Sequence, residues 1–288
     1  MRQEKEIVKE FYEKYGWTRS ESGVYKDTAA FVDTRPVMRS YQGRAMSRLA
    51  RRFARGGAFF LDAGCGALAS DDYVAIGSGY ERRVCVDFSG SALREARKKL
   101  GRTAMCVTAD IAALPFRGDV FDGVLCAHVL YHLPPDEQAP AAGELRRVLR
   151  RDGVAVIVYT WSTCLMTQIA LLLNPRKVLP RIPGMRWVWR AFFKPSGDHA
   201  ASGASAQVEA PPSLYFQPQD YAWYRDSVAK QGATALSCWQ SISLPFSQAF
   251  IFDGKCGALL LRALAGLEAW FPALMGRIGA YPVFILRK

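Results

Sequence analysis

The chain has no stretch of about eighteen uncharged apolar residues, which argues against a helix that spans a membrane. It has no Cys-x-x-Cys pair. Its seven cysteines (Cys65, Cys85, Cys106, Cys126, Cys164, Cys238 and Cys256) are odd in number and scattered, so neither a disulfide framework nor a metal site is expected. Histidine is limited to His128, His132 and His199. No internal repeat is visible, and a chain of 288 residues that is 50% hydrophobic has the material for an ordinary core, which sets disorder aside. The opening Met1-Arg-Gln-Glu-Lys-Glu6 is charged where a signal peptide would be apolar, so the expected location is cytoplasmic.

What is present in excess is positive charge, a formal +12. It is unevenly spread: residues 1–55 carry 13 basic and 7 acidic groups, 161–195 carry 6 basic groups and no acid, and 56–160 are balanced at 12 and 13. The excess therefore bears on what docks against two segments rather than on the fold.

Between those segments the pattern is regular. Ile7, Val8, Phe11, Tyr12 and Tyr15 predict an amphipathic helix stopped at Gly16, and a second helix is expected over about 36–53. Short apolar runs then alternate with helical stretches: strands at 58–61, 83–87, 104–107, 121–127 and 153–159, with helices at 91–100 and 138–149. Strands apolar on both faces that alternate with helices mean a parallel sheet covered on two sides. After Tyr159 come an apolar helix (166–173), a basic Trp-rich stretch and a loop-like segment (196–213). A helix at 218–230, a strand at 233–239, a helix at 257–274 and a final strand at 281–286 close the chain.

The first strand runs into Asp62-Ala-Gly64-Cys65-Gly66-Ala67-Leu68-Ala69, which fits G-x-G-x-x-G/A, and Asp87 ends the next strand. Little side chain at a strand's carboxyl end, plus a carboxylate for two ribose hydroxyls, suits any adenosine-containing cofactor, nicotinamide dinucleotides included. Asp62, two residues before the first glycine, suits a cofactor with a cationic end better than a pyrophosphate. Asp110, after the third strand, offers an acceptor for an adenine amino group.

With Leu61 to Gly66, Val86-Asp-Phe-Ser89, Asp110-Ile111, Leu114-Pro-Phe116, Phe121-Asp122, His128 to Pro134 and Leu145 to Gly153 in this order, the sequence resembles the class I S-adenosylmethionine-dependent methyltransferases that act on small molecules. The resemblance covers 58–160. It implies an α/β fold with a doubly wound, mostly parallel seven-stranded Rossmann-like sheet, and S-adenosylmethionine as cofactor. It implies that Gly64 and Gly66, with Cys65 between them, line the methionine end, and that Asp62 lies near its amino group. Asp87 would take the ribose hydroxyls, Phe88 the adenine face, Asp110 and Ile111 the adenine edge, and Cys126 and Ala127 the neighbourhood of the sulfonium. The family's usual third glycine is Leu68 here. The chain then divides into a helical N-terminal lid (1–55), the cofactor-binding core (56–160), an inserted cap or acceptor-binding segment (161–215) and a C-terminal completion of the sheet (216–288).

Methyl transfer needs an electron-rich acceptor held in line and, for a hydroxyl or ammonium, a group that removes its proton. His132 is the preferred base, with His128 and Tyr131 beside it. The expected reaction is direct in-line displacement onto a small-molecule acceptor, at oxygen or nitrogen. The alternatives, in falling order, are a membrane-associated lipid or RNA as acceptor, and a nicotinamide-dependent oxidoreductase. Trp187, Trp189, Phe192 and Phe193 beside Arg181, Arg186, Arg190 and Lys194 suit an anionic or amphipathic acceptor, or peripheral contact of 161–195 with an anionic membrane. Arginine and aromatic side chains together can also hold bases. A nucleic-acid partner is nonetheless disfavoured, because the core is not basic and no RNA-binding module is appended.

Overall fold

The computed structural model describes residues 2–21, 23–173, 212–232 and 234–288. The expected basic stretch around Trp187, Trp189 and Arg186, and His199 with its loop-like segment, lie outside the described residues.

The elements run α1 (Gln3–Phe11), α2 (Lys26–Phe31), α3 (Pro36–Ala50), β1 (Gly57–Ala63), α4 (Asp71–Ala75), β2 (Tyr80–Asp87), α5 (Gly90–Leu100) and β3 (Ala104–Thr108). They continue through β4 (Phe121–Ala127), α6 (Pro135–Val148), β5 (Leu149–Val158), α7 (Leu165–Leu172), β6 (Thr234–Gln240), α8 (Leu244–Phe250), α9 (Lys255–Trp270), α10 (Pro272–Ile278) and β7 (Tyr281–Arg287). The seven strands form one sheet in the order β3-β2-β1-β4-β5-β7-β6. Strands β1 to β5 pair in parallel, and β7 lies antiparallel to both β5 and β6.

Strand periodicity of two sorts the apolar side chains between the faces. Leu61, Ala63, Val124, Cys126, Ala155 and Ile157 meet Ala141, Ala142, Leu145 and Val148 of α6 on one side. Phe60, Leu125, Val156 and Val158 meet Met46 and Leu49 of α3 on the other. Both faces are thus dry, as the unbroken apolar runs imply. The chain reverses between β1 and β4, so a crevice opens beyond their carboxyl ends, where ligands of such sheets bind.

The sequence pattern and the structure differ at defined places. The helix expected over 257–274 is two: Phe271 leaves helical geometry (φ −125°, ψ 56°), and Pro272, which can only begin a helix, starts α10. Strand β5 starts at Leu149, where the helix was expected to finish, and its polar Arg150-Arg-Asp152 start hides it from an apolar pattern. Helix α8 was not anticipated, although Ser243 caps it and a proline opens it. Among the described residues no single helix is long and apolar enough to cross a membrane; α9 and α10 together meet the length and composition test but are bent by 114°.

Candidate cofactor and acceptor site

Strand β1 ends in a turn that only glycine accommodates. Gly64 and Gly66 have φ of +72° and +55°, and a β-carbon on Gly64 would stand 2.3 Å from the Val129 side chain, one on Gly66 2.5 Å from Trp17. The N–H groups of Gly64 and Cys65 donate to the Val86 carbonyl at 2.7 and 3.0 Å, tying the turn to β2. Leu68, where a third glycine was expected, is also left-handed (φ 49°) and buried. Cys65 is buried against Leu68, Cys85 and Leu93, and its neighbour Cys85 and burial both push the Cys65 thiol up.

Three carboxylates end the first strands, in three electrostatic states. Asp62 is buried and ion-paired with Arg83 of β2. Arg83 also donates to the carbonyls of Tyr73, Val74 and Ile76, holding the segment after the glycine turn. Asp110 accepts the Ala112 N–H at 2.8 Å and pairs with the buried Lys5 of α1 at 2.5 Å; Lys5 also bridges to Glu137. Asp87 has no cationic partner among the described residues. It accepts the N–H groups of Gly66 (2.8 Å) and Ser89 (2.9 Å), and burial raises its pKa to about 6. Phe88 is half-buried next to it, Ile111 is fully packed, and the Cys126 thiol faces the α6 side of the core, so the end of β4 presents backbone and Ala127 to the crevice.

The N-terminal segment lies over this crevice. Trp17 packs on Gly66 and stacks on Tyr12 with ring centroids 5.2 Å apart. Glu13 accepts the N–H groups of Gly90 (2.5 Å) and Ser91 (3.3 Å) at the start of α5, a natural place for a negative charge.

Beyond β4, His128, Tyr131 and His132 share an aromatic cluster. His128 adopts φ 63°, and its ring lies 4.7 Å from Trp239 and 5.7 Å from Tyr281. The Tyr131 ring contacts His132 and Phe216, and burial lifts its phenol well above the ordinary value. His132 Nδ1 lies 2.8 Å from the Tyr215 carbonyl and so carries the proton, which leaves Nε2 as the acceptor 3.4 Å from the Tyr12 hydroxyl. Burial lowers both histidines to about 4, so both imidazoles are neutral near pH 7. Sequence reasoning missed Lys5, Trp17, Val129 and Arg83. Only Val129 lies within a motif, His128 to Pro134, and each acts through a partner remote in sequence.

A glycine turn, acids ending β2 and β3, and a crevice at the switch point of a sheet closed by an antiparallel β7 define a Rossmann-like nucleoside-cofactor site of the methyltransferase type. The all-parallel dinucleotide-binding order lacks such a strand. Comparison with known proteins gives the same class. The profile of a family described as a methyltransferase domain matches residues 61–157. The probable tRNA methyltransferase 9B of Homo sapiens is 25% identical over 242 residues, which cover 79% of this chain and 50% of that protein. Its Mus musculus counterpart is 28% identical over 138 residues, covering 46% and 29%. The chain thus spans half or less of the length of these curated relatives. The crystal structure of magnesium protoporphyrin IX methyltransferase (ChlM) from Synechocystis PCC 6803 with bound SAH shares the fold, with a TM-score of 0.52 at 15% identity over 99% of this chain and 100% of that one. Residues 61–157 thus match the methyltransferase-domain family, and the fold of the chain is that of the S-adenosylmethionine-dependent methyltransferases.

The residues present suit that cofactor. The glycines let the turn at the end of β1 fold tightly under Val129 and Trp17, with its backbone at the crevice. Asp87 keeps lone pairs beyond its two backbone donors, enough for a pair of ribose hydroxyls.

Proposed function

We propose that this protein transfers a methyl group to an oxygen or nitrogen of a small-molecule acceptor, in the cytoplasm, by direct in-line displacement. The observation that carries the proposal is the aromatic cluster of His128, Tyr131, Trp239, Tyr281 and Phe216 directly beyond β4, joined to the glycine turn through Val129. When bound, S-adenosylmethionine supplies an electrophilic methyl on a sulfonium. Asp87 holds ribose hydroxyls, Gly64 and Gly66 admit the methionine end, and the lid carrying Tyr12 and Trp17 excludes water. The aromatic walls hold a flat or amphipathic acceptor. His132 Nε2, with its other nitrogen tied to a backbone carbonyl, takes the acceptor's proton by way of the Tyr12 hydroxyl, which passes its own proton to Nε2 as it receives the acceptor's. A cytoplasmic location agrees with seven cysteines that are all free.

The test is calorimetric titration with S-adenosylhomocysteine, followed by assay of methyl transfer to a panel of phenols and amines. The wild type should bind, Asp87→Asn should bind at least tenfold more weakly, and His132→Gln should lose turnover about a hundredfold or more while still binding the cofactor. Full turnover in His132→Gln means that proximity alone drives transfer. The names of the curated relatives favour a second reading, a tRNA acceptor. Label transferred from S-adenosylmethionine to bulk tRNA, and to none of the small molecules, would establish that reading instead.

A further inference from the structure

Away from the cofactor crevice, α9 is apolar on two opposite sides. Gly257, Leu261, Leu264, Ala265 and Glu268 form the buried stripe. Leu259, Ala263, Leu267 and Trp270, four, eight and eleven positions on from the first, share the outer side, and Leu260 borders it. Leu259 is 67% and Trp270 81% exposed, and Phe271 and Leu274 extend the apolar surface around the 114° bend into α10. A helix apolar all round has a second apolar environment to meet. Exposed cations flank this surface at Lys255, Arg262 and Arg277, and the only acid between 255 and 288 is Glu268. Glu268 is buried, its charge spent on Arg48, Tyr41 and Ser241. Asp253, just before α9, faces Arg35 at 3.9 Å.

Beside the bend opens a cavity of about 340 Å³, whose lining includes Ala269 and Pro272 on either side of Trp270-Phe271, and Arg48, Arg51 and Arg52 from the end of α3. Arg51 and Arg52 have no carboxylate partner among the described residues. Arg48 is paired with Glu268, which also lines the cavity, so the uncompensated charge there is that of Arg51 and Arg52. An anionic oxygen is the acceptor that such a donor set lacks.

We propose that the α9–α10 bend docks on an anionic membrane surface, with Leu267, Trp270, Phe271 and Leu274 entering the headgroup–acyl boundary and the arginine-lined cavity taking a lipid phosphate. The bend lies in the surface and does not cross it, because the inner stripe of α9 stays packed on α3 and α10 stays packed on β6. A second copy of the chain fits this face poorly. A twofold contact would bring the cationic rim of Lys255, Arg262 and Arg277 against the same rim of the other copy, with no exposed acid on α9 or α10 to offset it. Anionic lipid satisfies the apolar surface, its cations and the cavity donors together.

The experiment is co-sedimentation of the full chain with phosphatidylcholine vesicles, with and without phosphatidylserine, at low and high salt. The variants are Trp270→Ser/Phe271→Ser and Arg51→Glu/Arg52→Glu, all at exposed positions, with S-adenosylhomocysteine affinity as the folding control. The chain should bind the phosphatidylserine vesicles and release in high salt, and each double variant should lose about tenfold or more, since one basic residue near such a surface is worth about fivefold. Equal binding to neutral vesicles, or retention by either variant, overturns the proposal. So does a solution dimer broken by Trp270→Ser/Phe271→Ser without vesicle binding, or capture of tRNA by the arginine cavity in its place.

Discussion

Replacing Arg83 with Met would test whether the glycine turn rests on a buried ion pair. Arg83 and Asp62 are 7% and 3% exposed, and the guanidinium divides its donors among the Asp62 carboxylate and the carbonyls of Tyr73, Val74 and Ile76. Removing one partner of a buried pair strands the other charge, at a cost of about 3–5 kcal/mol, and each freed carbonyl adds up to about 1 kcal/mol where water cannot reach it. Such terms overlap, so a total of about 5 kcal/mol is expected. At roughly 2–3 °C per kcal/mol for a chain of this size, the melting temperature should fall by about 10–15 °C. Differential scanning calorimetry at neutral pH reads this directly. The double variant Asp62→Asn/Arg83→Met, which leaves no stranded charge, should recover more than half of the loss. A drop below about 3 °C, or a double variant no better than the single one, refutes the view that the pair supports the turn. Arg83→Lys gives an intermediate result, because it keeps charge but lacks the fork that reaches three carbonyls.

Other consequences concern titration and the turn itself. In the role proposed for it, Asp87 accepts ribose hydroxyls in its ionised form. With its pKa raised to about 6, affinity for S-adenosylhomocysteine should be flat above neutral pH and about tenfold weaker near pH 5; a constant Kd across that range would contradict the assignment. His128 and His132 titrate near 4 in the fold and near 6.5 when unfolded, so the unfolded chain binds more protons between those values. Stability is therefore fully present above about pH 6.5 and lost as pH falls toward 4, and His132→Gln should flatten the fall in melting temperature over that window. Gly64→Ala should cost about 1–3 kcal/mol from its left-handed φ and the Val129 contact, with partial rescue by Val129→Ala in chemical denaturation.

The sheet was legible because its central strands are short, apolar and closed by glycine or aspartate, and α6 and α5 follow the helical period. The break at Phe271 was not, since the apolar pattern runs unbroken through Pro272 and only the proline's missing N–H marks the change of direction. At the site, the order Gly64, Gly66, Asp87, Asp110 marks one edge of the sheet because each residue ends a strand, a local property. The pairings of Asp62 with Arg83 and Asp110 with Lys5 depend on register and on the docking of α1, and they span 21 and 105 positions. No local pattern encodes contacts of that kind. The place of His132 after β4 is local in the same sense as that of the glycines, but its tautomer is set by the carbonyl of Tyr215, 83 residues away.

Those long-range pairings also set Asp87 apart from Asp62 and Asp110, since it has no cationic partner among the described residues. Arg83 neutralises Asp62, Lys5 neutralises Asp110, and Glu13 brings a further negative charge close to the α5 end of the crevice. Asp87 lies among them with only backbone donors, so burial, and then repulsion from Asp62 and Glu13, push its pKa up. A carboxylate in that state gains more than a salt-bridged one from new hydroxyl donors, because nothing else in the crevice offsets its charge. The cations that quiet its neighbours come from α1 and from β2, so the balanced charge of residues 56–160 is not a site without a field. It is a site in which the N-terminal segment supplies part of the compensation, through Lys5, and part of the field at Asp87, through Glu13, so docking of that segment and the electrostatics of Asp87 are coupled.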